Sequence, residues 1–302
     1  MTQSSTPKIK TISLVLGSGG ARGLAHIGII RWLEAHHYQI QSISGSSIGA
    51  LVGGIYAAGK LNEFEDWLKQ LTNTDIMALM DIAWDRSGLI KGHKLTHMIQ
   101  NLIGNPNIED LAIPFTAVAT DIHNEKEIWL QKGPLVDAMR ASFSLPMIFT
   151  PFHYKGLTLI DGGVLSPVPI APTFGQDSDL TLAVNLGAKP QKPQNPTHTE
   201  TPEQPSTETG WLPDWDELVG NIKDFFNREE HRFEQPFNWD AYDISNKAFD
   251  SMQSSIARQQ LAAYPPDITL NISRDACGML EFTRVKEMID LGYHTAQKTL
   301  GE

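Results

Sequence analysis

Apolar residues along this chain fall into two alternating kinds of segment. Short runs rich in β-branched and large apolar residues read as buried strands: Thr11 to Leu16, Phe115 to Ile122, Leu157 to Ile160, Leu180 to Leu186 and Asp267 to Ile272. A shorter strand is expected at Ser42 to Ser44. Between the strands lie stretches with helical spacing. Leu24, Ile27, Ile30 and Leu33 repeat on one helical face after the first strand. An apolar, small-residue stretch from Ile48 to Ala58 follows the second. Glu63 to Ile82 places Phe64, Trp67, Leu68 and Leu71 on one side of an expected surface helix. Ala241 to Tyr264 and Thr283 to Leu300 predict two further helices. Strands alternating with helices predict an α/β fold, with a mostly parallel central sheet covered by helices.

The alternation is interrupted from Lys189 to Pro213. Pro190, Pro193, Pro196, Pro202, Pro205 and Pro213 stand there among Gln, Thr, Glu and Ser. Such a segment buries too little apolar area to offset its ordering entropy, so a mobile insertion is expected. Trp211, Trp215, Leu218, Ile222, Phe225 and Phe226 follow, with helical spacing from Trp215 on. That stripe suits core packing or a homo-oligomer contact through Trp211 to Phe226; a membrane-facing or acyl-binding lid is the sharper alternative. The expected organisation is a tail at 1–7, an α/β domain at 8–188, the insertion at 189–213, and a helical segment at 214–302 whose one strand completes the same domain.

Composition narrows the function. The chain has 302 residues, 41% of them hydrophobic and 20% charged, as in an ordinary globular protein. A net charge of −11 argues against nucleic acid as a partner, which requires a basic face. The single cysteine, Cys277, forbids an internal disulfide and fits a reducing compartment. MTQSSTPKIK at the N-terminus has no apolar signal core, and no run approaches the length of a membrane span. A cytoplasmic location is expected, with contact at the periphery of the inner membrane left open. No metal-ligand spacing appears, and neither a metal nor another cofactor is expected.

Candidate chemistry starts at Gly45-Ser46-Ser47-Ile48-Gly49. This G-x-S-x-G pentapeptide between a strand and an apolar helix matches a nucleophile elbow, with Ser47 exposed on a sharp turn. The same pattern also occurs in ordinary strand-to-helix turns. Upstream, Gly17-Ser18-Gly19-Gly20-Ala21-Arg22-Gly23 joins the first strand to its helix. A dinucleotide fingerprint would need a third glycine where Arg22 stands, and an acidic residue that Gln39 to Ser46 does not hold. A Walker loop would need Gly-Lys-Ser/Thr, which is absent. An oxyanion hole for Ser47 is the favoured reading, and a tight turn without a ligand is the plain one.

A serine nucleophile needs a base. None of the ten histidines sits in a glycine-flanked loop after a late strand. His26, in the helix after the glycine-rich loop, is expected to be partly buried. Asp161 ends the strand Leu157 to Ile160 and precedes Gly162 and Gly163, so it is placed to reach over a sheet edge. Taken alone, Asp161-Gly162 reads as a β-turn, because Asp-Gly is a strong turn dipeptide.

Taken together, GSGGARG after a strand, GSSIG after the next and DGG much later resemble the patatin-like phospholipase family. AMRASFSLPMIFTPF, from Ala138 to Phe152, is similar to the Ala-Ser-x-Ser-x-Pro block that precedes the family's aspartate. The resemblance covers Lys8 to Leu186, more weakly the segment from Asp267 on, and is to the small bacterial members of the RssA type. Ser18 departs from the family's Gly-Gly-Gly-x-Arg/Lys-Gly loop but still supplies a backbone N–H. The resemblance implies a three-layer α/β/α patatin-like fold and a Ser–Asp dyad without histidine. Carried over, Ser47 is the nucleophile, Asp161 the base, and Gly19, Gly20, Arg22 and Gly23 the oxyanion loop. Gly45, Gly49, Gly162 and Gly163 support the two motifs. The implied activity is serine acyl hydrolysis of lipid esters. The alternative is a non-catalytic regulatory or scaffolding protein on the same fold.

Overall fold

The computed structural model describes residues 10–72, 74–76, 90–189 and 239–301. The proline-rich segment beyond Lys189 and the Trp211 to Phe226 stripe lie outside the described residues.

Eight strands form one sheet: β1 Thr11–Leu16, β2 Gln39–Ser46, β3 Phe115–Asp121, β4 Lys126–Leu130, β5 Phe152–Tyr154, β6 Leu157–Asp161, β7 Leu180–Ala188 and β8 Ile268–Ser273. β3, β2, β1, β7 and β8 run side by side and parallel. β4, β5 and β6 add the antiparallel part. The strand expected at Ser42 to Ser44 extends over all of β2, because pairing to β1 and β3 recruits its polar ends.

Among the described residues the helices of eight residues or more are α1 Ala25–Ala35, α2 Ile48–Ala57, α3 Leu61–Gln70, α4 His93–Ile103, α5 Leu135–Ser142, α6 Trp239–Ala263 and α7 Val285–Leu300. α1, α2, α5 and α7 cover one sheet face, burying Leu14, Leu16, Ile43, Phe115, Ala117, Leu182 and Val184. Ala257 of α6 covers the other face with Val168 and Ile170, over Val15 and Ala183. These are the three layers expected. α3 stops at Gln70, short of the helix expected from Glu63 to Ile82. Thr72 and Asp75 bond reciprocally, side chain to backbone N–H, as in the capping box that starts a new helix. Residues 77–82 of that expected helix lie outside the described residues.

The registers on β3 determine what happens at the functional end. β4 lies along one edge of β3 from Ala117 to Asp121. β2 pairs with Phe115 to Val118, and β6 with Ala119 to Asp121. Both overlap β4, so both lie on the opposite edge, one after the other. β2 ends at Ser46 beside Val118, and antiparallel β6 ends at Asp161 beside Ala119. Two strands distant in sequence thus meet end to end, and the residues at the meeting point are Ser47 and Asp161.

Candidate active site

Ser47 follows β2 directly and precedes α2, with φ 57° and ψ −124°. A non-glycine residue with positive φ stores roughly 1–3 kcal/mol of strain, as a nucleophile elbow requires. The turn is held by Ser142. Its hydroxyl accepts the Ser47 N–H at 2.9 Å and donates to the Val118 carbonyl at 2.6 Å. The glycines of the pentapeptide permit close packing. A Cβ added at Gly49 would lie 2.0 Å from the Leu16 carbonyl oxygen, and one at Gly45 2.5 Å from the Gly49 carbonyl oxygen.

Asp161 is fully buried and Ser47 is 8% exposed. The Ser47 hydroxyl donates to Asp161 Oδ2 at 2.5 Å. Asp161 Oδ1 accepts the Gly163 N–H at 2.7 Å. The turn reading and the base geometry therefore coexist: one carboxylate oxygen caps the Gly162–Val164 turn, and the other faces the serine. The Asp161 N–H is held by the Ser144 carbonyl at 2.9 Å. Burial pushes the carboxyl up to about 7, against the opposing hydrogen bonds from Ser47 and Gly163. Gly162 packs against Val118 and Ser46, and Gly163 against Ser18 of the glycine-rich loop.

The glycine-rich loop is pinned at three points. Gly17 N–H bonds Val184, Ser18 N–H bonds Pro167, and Ala21 N–H bonds Met279, all at carbonyl oxygens. Among the described residues nothing accepts from the N–H groups of Gly19 and Gly20. Gly23 presses on Ile48 at the start of α2, so the loop and the elbow are in contact. The Arg22 side chain, 2% exposed, points elsewhere. Its guanidinium donates to the Gly19 and Arg274 carbonyls and pairs with Asp250 at 2.9 Å, which braces the loop from behind.

His26 is fully rather than partly buried. Its Nε2 lies 2.9 Å from the Gly17 carbonyl oxygen, and burial lowers its pKa to about 4. His153 sits on β5, near the Thr158 hydroxyl. Among the described residues, the hydrogen-bond partners of the Ser47 and Asp161 side chains include no histidine.

Sequence reasoning did not assign Arg140, Ser142 or Ser144. Arg140 is buried among the rings of Phe143, Phe149 and Phe152, and donates to the Ser144 hydroxyl and to the carbonyls of Lys91 and Thr150. It shapes the end of α5 and the turn after it, whose two serines hold Ser47 and Asp161. The signal was present as Ser-x-Ser after an arginine, but no local rule gives that spacing a role.

Among the described residues no helix is long and apolar enough to cross a membrane. An NTE family protein of Mycobacterium tuberculosis, itself uncharacterized, is 34% identical over 344 positions, covering 98% of this chain and 92% of that protein. The lysophospholipase NTE1 of Scheffersomyces stipitis is 31% identical over 187 positions, covering 59% of this chain and 12% of that much longer protein. VipD from Legionella pneumophila superposes with a TM-score of 0.45 at 14% identity, covering 98% of this chain and 68% of that one. The family profile described as Patatin-like phospholipase matches residues 14–174, the stretch that contains both Ser47 and Asp161. With more than half its length matched by that profile, the chain belongs to the patatin-like phospholipase family and is a lipid ester hydrolase.

Proposed function

We propose that the chain hydrolyses acyl esters of glycerophospholipids or lysophospholipids through a Ser47–Asp161 dyad, drawing its substrate from a lipid surface. The 2.5 Å bond from the Ser47 hydroxyl to Asp161 Oδ2 carries this reading. Ser47 Oγ attacks the ester carbonyl carbon while its proton passes to Asp161 Oδ2. The carbonyl oxygen becomes an oxyanion that takes the unpartnered N–H groups of Gly19 and Gly20, each donor contributing roughly 3 kcal/mol. Collapse expels the alcohol, which receives the proton from Asp161. Water then attacks the acyl-enzyme, Asp161 takes its proton, and the fatty acid leaves as Ser47 Oγ is reprotonated. A buried carboxylate with a pKa of about 7 is a better base for a hydroxyl than one at the usual value. The lysophospholipases among the relatives support a phospholipid-derived substrate.

The direct test is a fluorophosphonate ester with intact-mass readout. A single adduct on the native chain, absent in Ser47→Ala, is the expected result. Unmodified native protein, or an adduct that persists in the variant, would overturn the dyad.

A further inference from the structure

Arg140 is a buried cation without a carboxylate. It is 4% exposed, and among the described residues no Asp or Glu pairs with it. Its guanidinium carbon lies 5.4 to 5.8 Å from the ring centroids of Phe143, Phe149 and Phe152. Burial pulls its pKa down to about 10. A methionine would pack against the same rings without desolvating a charge, so apolar burial does not account for an arginine here.

Its hydrogen bonds do account for it, because they fasten three segments at once. Nη1 donates to Ser144 Oγ at 2.5 Å, and Nη2 to the Lys91 carbonyl at 2.8 Å and the Thr150 carbonyl at 3.0 Å. The Ser144 hydroxyl donates back to the Arg140 carbonyl at 2.8 Å. A planar fork of fixed donors spans these acceptors; the single nitrogen of a lysine does not. From the fork, separate routes lead to the two halves of the dyad. α5 carries Arg140 and also Ser142, whose hydroxyl accepts the Ser47 N–H. The Ser144 carbonyl accepts the Asp161 N–H at 2.9 Å. Thr150 leads into β5, which pairs with β6, the strand that ends at Asp161. The supports of nucleophile and base therefore share one side chain. A misplacement of about 1 Å between reacting groups can cost a hundredfold in rate, so that sharing bears directly on catalysis.

We propose that Arg140 is a positioning residue for acyl transfer: by fixing Ser142 and Ser144 relative to each other, its guanidinium keeps Ser47 Oγ within proton-transfer reach of Asp161 Oδ2. It acts through the two serines and not on the ester. The proposal rests on the dyad reading above.

A double-mutant cycle on the full chain tests it, with kcat and KM measured on p-nitrophenyl butyrate. Arg140→Lys keeps the charge and loses the fork. It is expected to lower kcat about tenfold to a hundredfold, with KM within about twofold and near-ultraviolet dichroism retained. Ser144→Ala keeps the carbonyl that holds Asp161 and loses the hydroxyl that Arg140 holds, so kcat should fall there too. In the Ser144→Ala background, Arg140→Lys should cost much less than it does in the native chain, because both act along one path. Full kcat in a folded Arg140→Lys overturns the proposal. So does a KM that rises as kcat falls, or losses that simply multiply in the double variant. If Arg140→Lys does not fold, Ser144→Ala decides alone, and unchanged kcat there overturns the proposal. Fluorophosphonate labelling of the native chain separates the two readings. Labelled Ser47 with unaffected variants sinks the positioning role and leaves the dyad standing. No labelling sinks the dyad, and the role of Arg140 with it.

Discussion

At Ser47 and Asp161 function and stability pull in opposite directions. Ser47→Ala is expected to remove turnover of a p-nitrophenyl ester by at least about a thousandfold with the fold intact, the usual cost of losing a nucleophile. Comparing kcat with near-ultraviolet dichroism checks both halves. Asp161→Asn should cost nearly as much, because an amide keeps the Gly163 bond but cannot take the serine proton. Its stability should move the other way. The folded carboxyl titrates at about 7 instead of the usual 3.8. Native protein therefore holds a proton that the unfolded chain releases between those values. Asp161 stabilises the fold fully below about pH 4, and that contribution is lost as pH rises through 7. At pH 8 the native chain carries a buried carboxylate, so Asp161→Asn should be more stable than wild type there by about 1 kcal/mol or more, and unfold at a higher temperature. Over the same window kcat/KM should rise with pH through about 7, because the base must be ionised. A flat profile from pH 5 to 9 would contradict a catalytic Asp161. Ser142→Ala removes the hydroxyl that joins the Ser47 N–H to the Val118 carbonyl. Orphaning two buried groups should cost about 1–3 kcal/mol in urea unfolding.

α1 and α7 pack in close contact, and the cause is a pair of glycines. A Cβ at Gly28 would lie 1.9 Å from the Ile289 carbonyl oxygen, and one at Gly292 1.9 Å from the Ala25 carbonyl oxygen. Both obstacles are backbone, so neither can rotate away. Gly292→Ala should separate the helices and lower stability by about 1–3 kcal/mol, read as a shift in the urea midpoint at constant slope. Since α1 continues from the glycine-rich loop, esterase activity should fall with it. α1 and α7 were legible because each buries one apolar face, and β1, β3 and β7 because they are buried along most of their length on both faces. α4, β4, α5 and β5 were not. β5 has three residues, too few for a period to show, and β4 buries only Leu130 of its five. α5 buries Arg140 and Ser142 along with Leu135 and Met139, so burial there does not follow apolarity.

For the molecule as a whole, the proposed dyad lies within residues 14–174, but the fold does not close there. β8 extends the sheet beyond β7, and α7 buries Val285, Met288, Ile289 and Ala296. Met279 and Arg274 bind the glycine-rich loop directly. A chain ending at Tyr264 should therefore lose cooperative thermal unfolding and ester turnover, although Ser47 and Asp161 remain; a folded, active truncation would refute this. The sequence by itself determined the α/β class, the strand-to-helix turn at Ser47, the glycine-rich loop ahead of it and the strand ending at Asp161, because each depends on neighbouring residues and on a period of two or 3.6. It left Asp161 reading as a turn, and it could not say which way Arg22 points. Only the tertiary structure decided those. The registers on β3 bring the ends of β2 and β6 together, burial raises the Asp161 pKa, and Asp250 and Arg274 draw Arg22 away from the serine. Ser47 and Asp161 are 114 positions apart and Arg22 and Asp250 228, and local propensity carries no information about which distant edge a strand will meet.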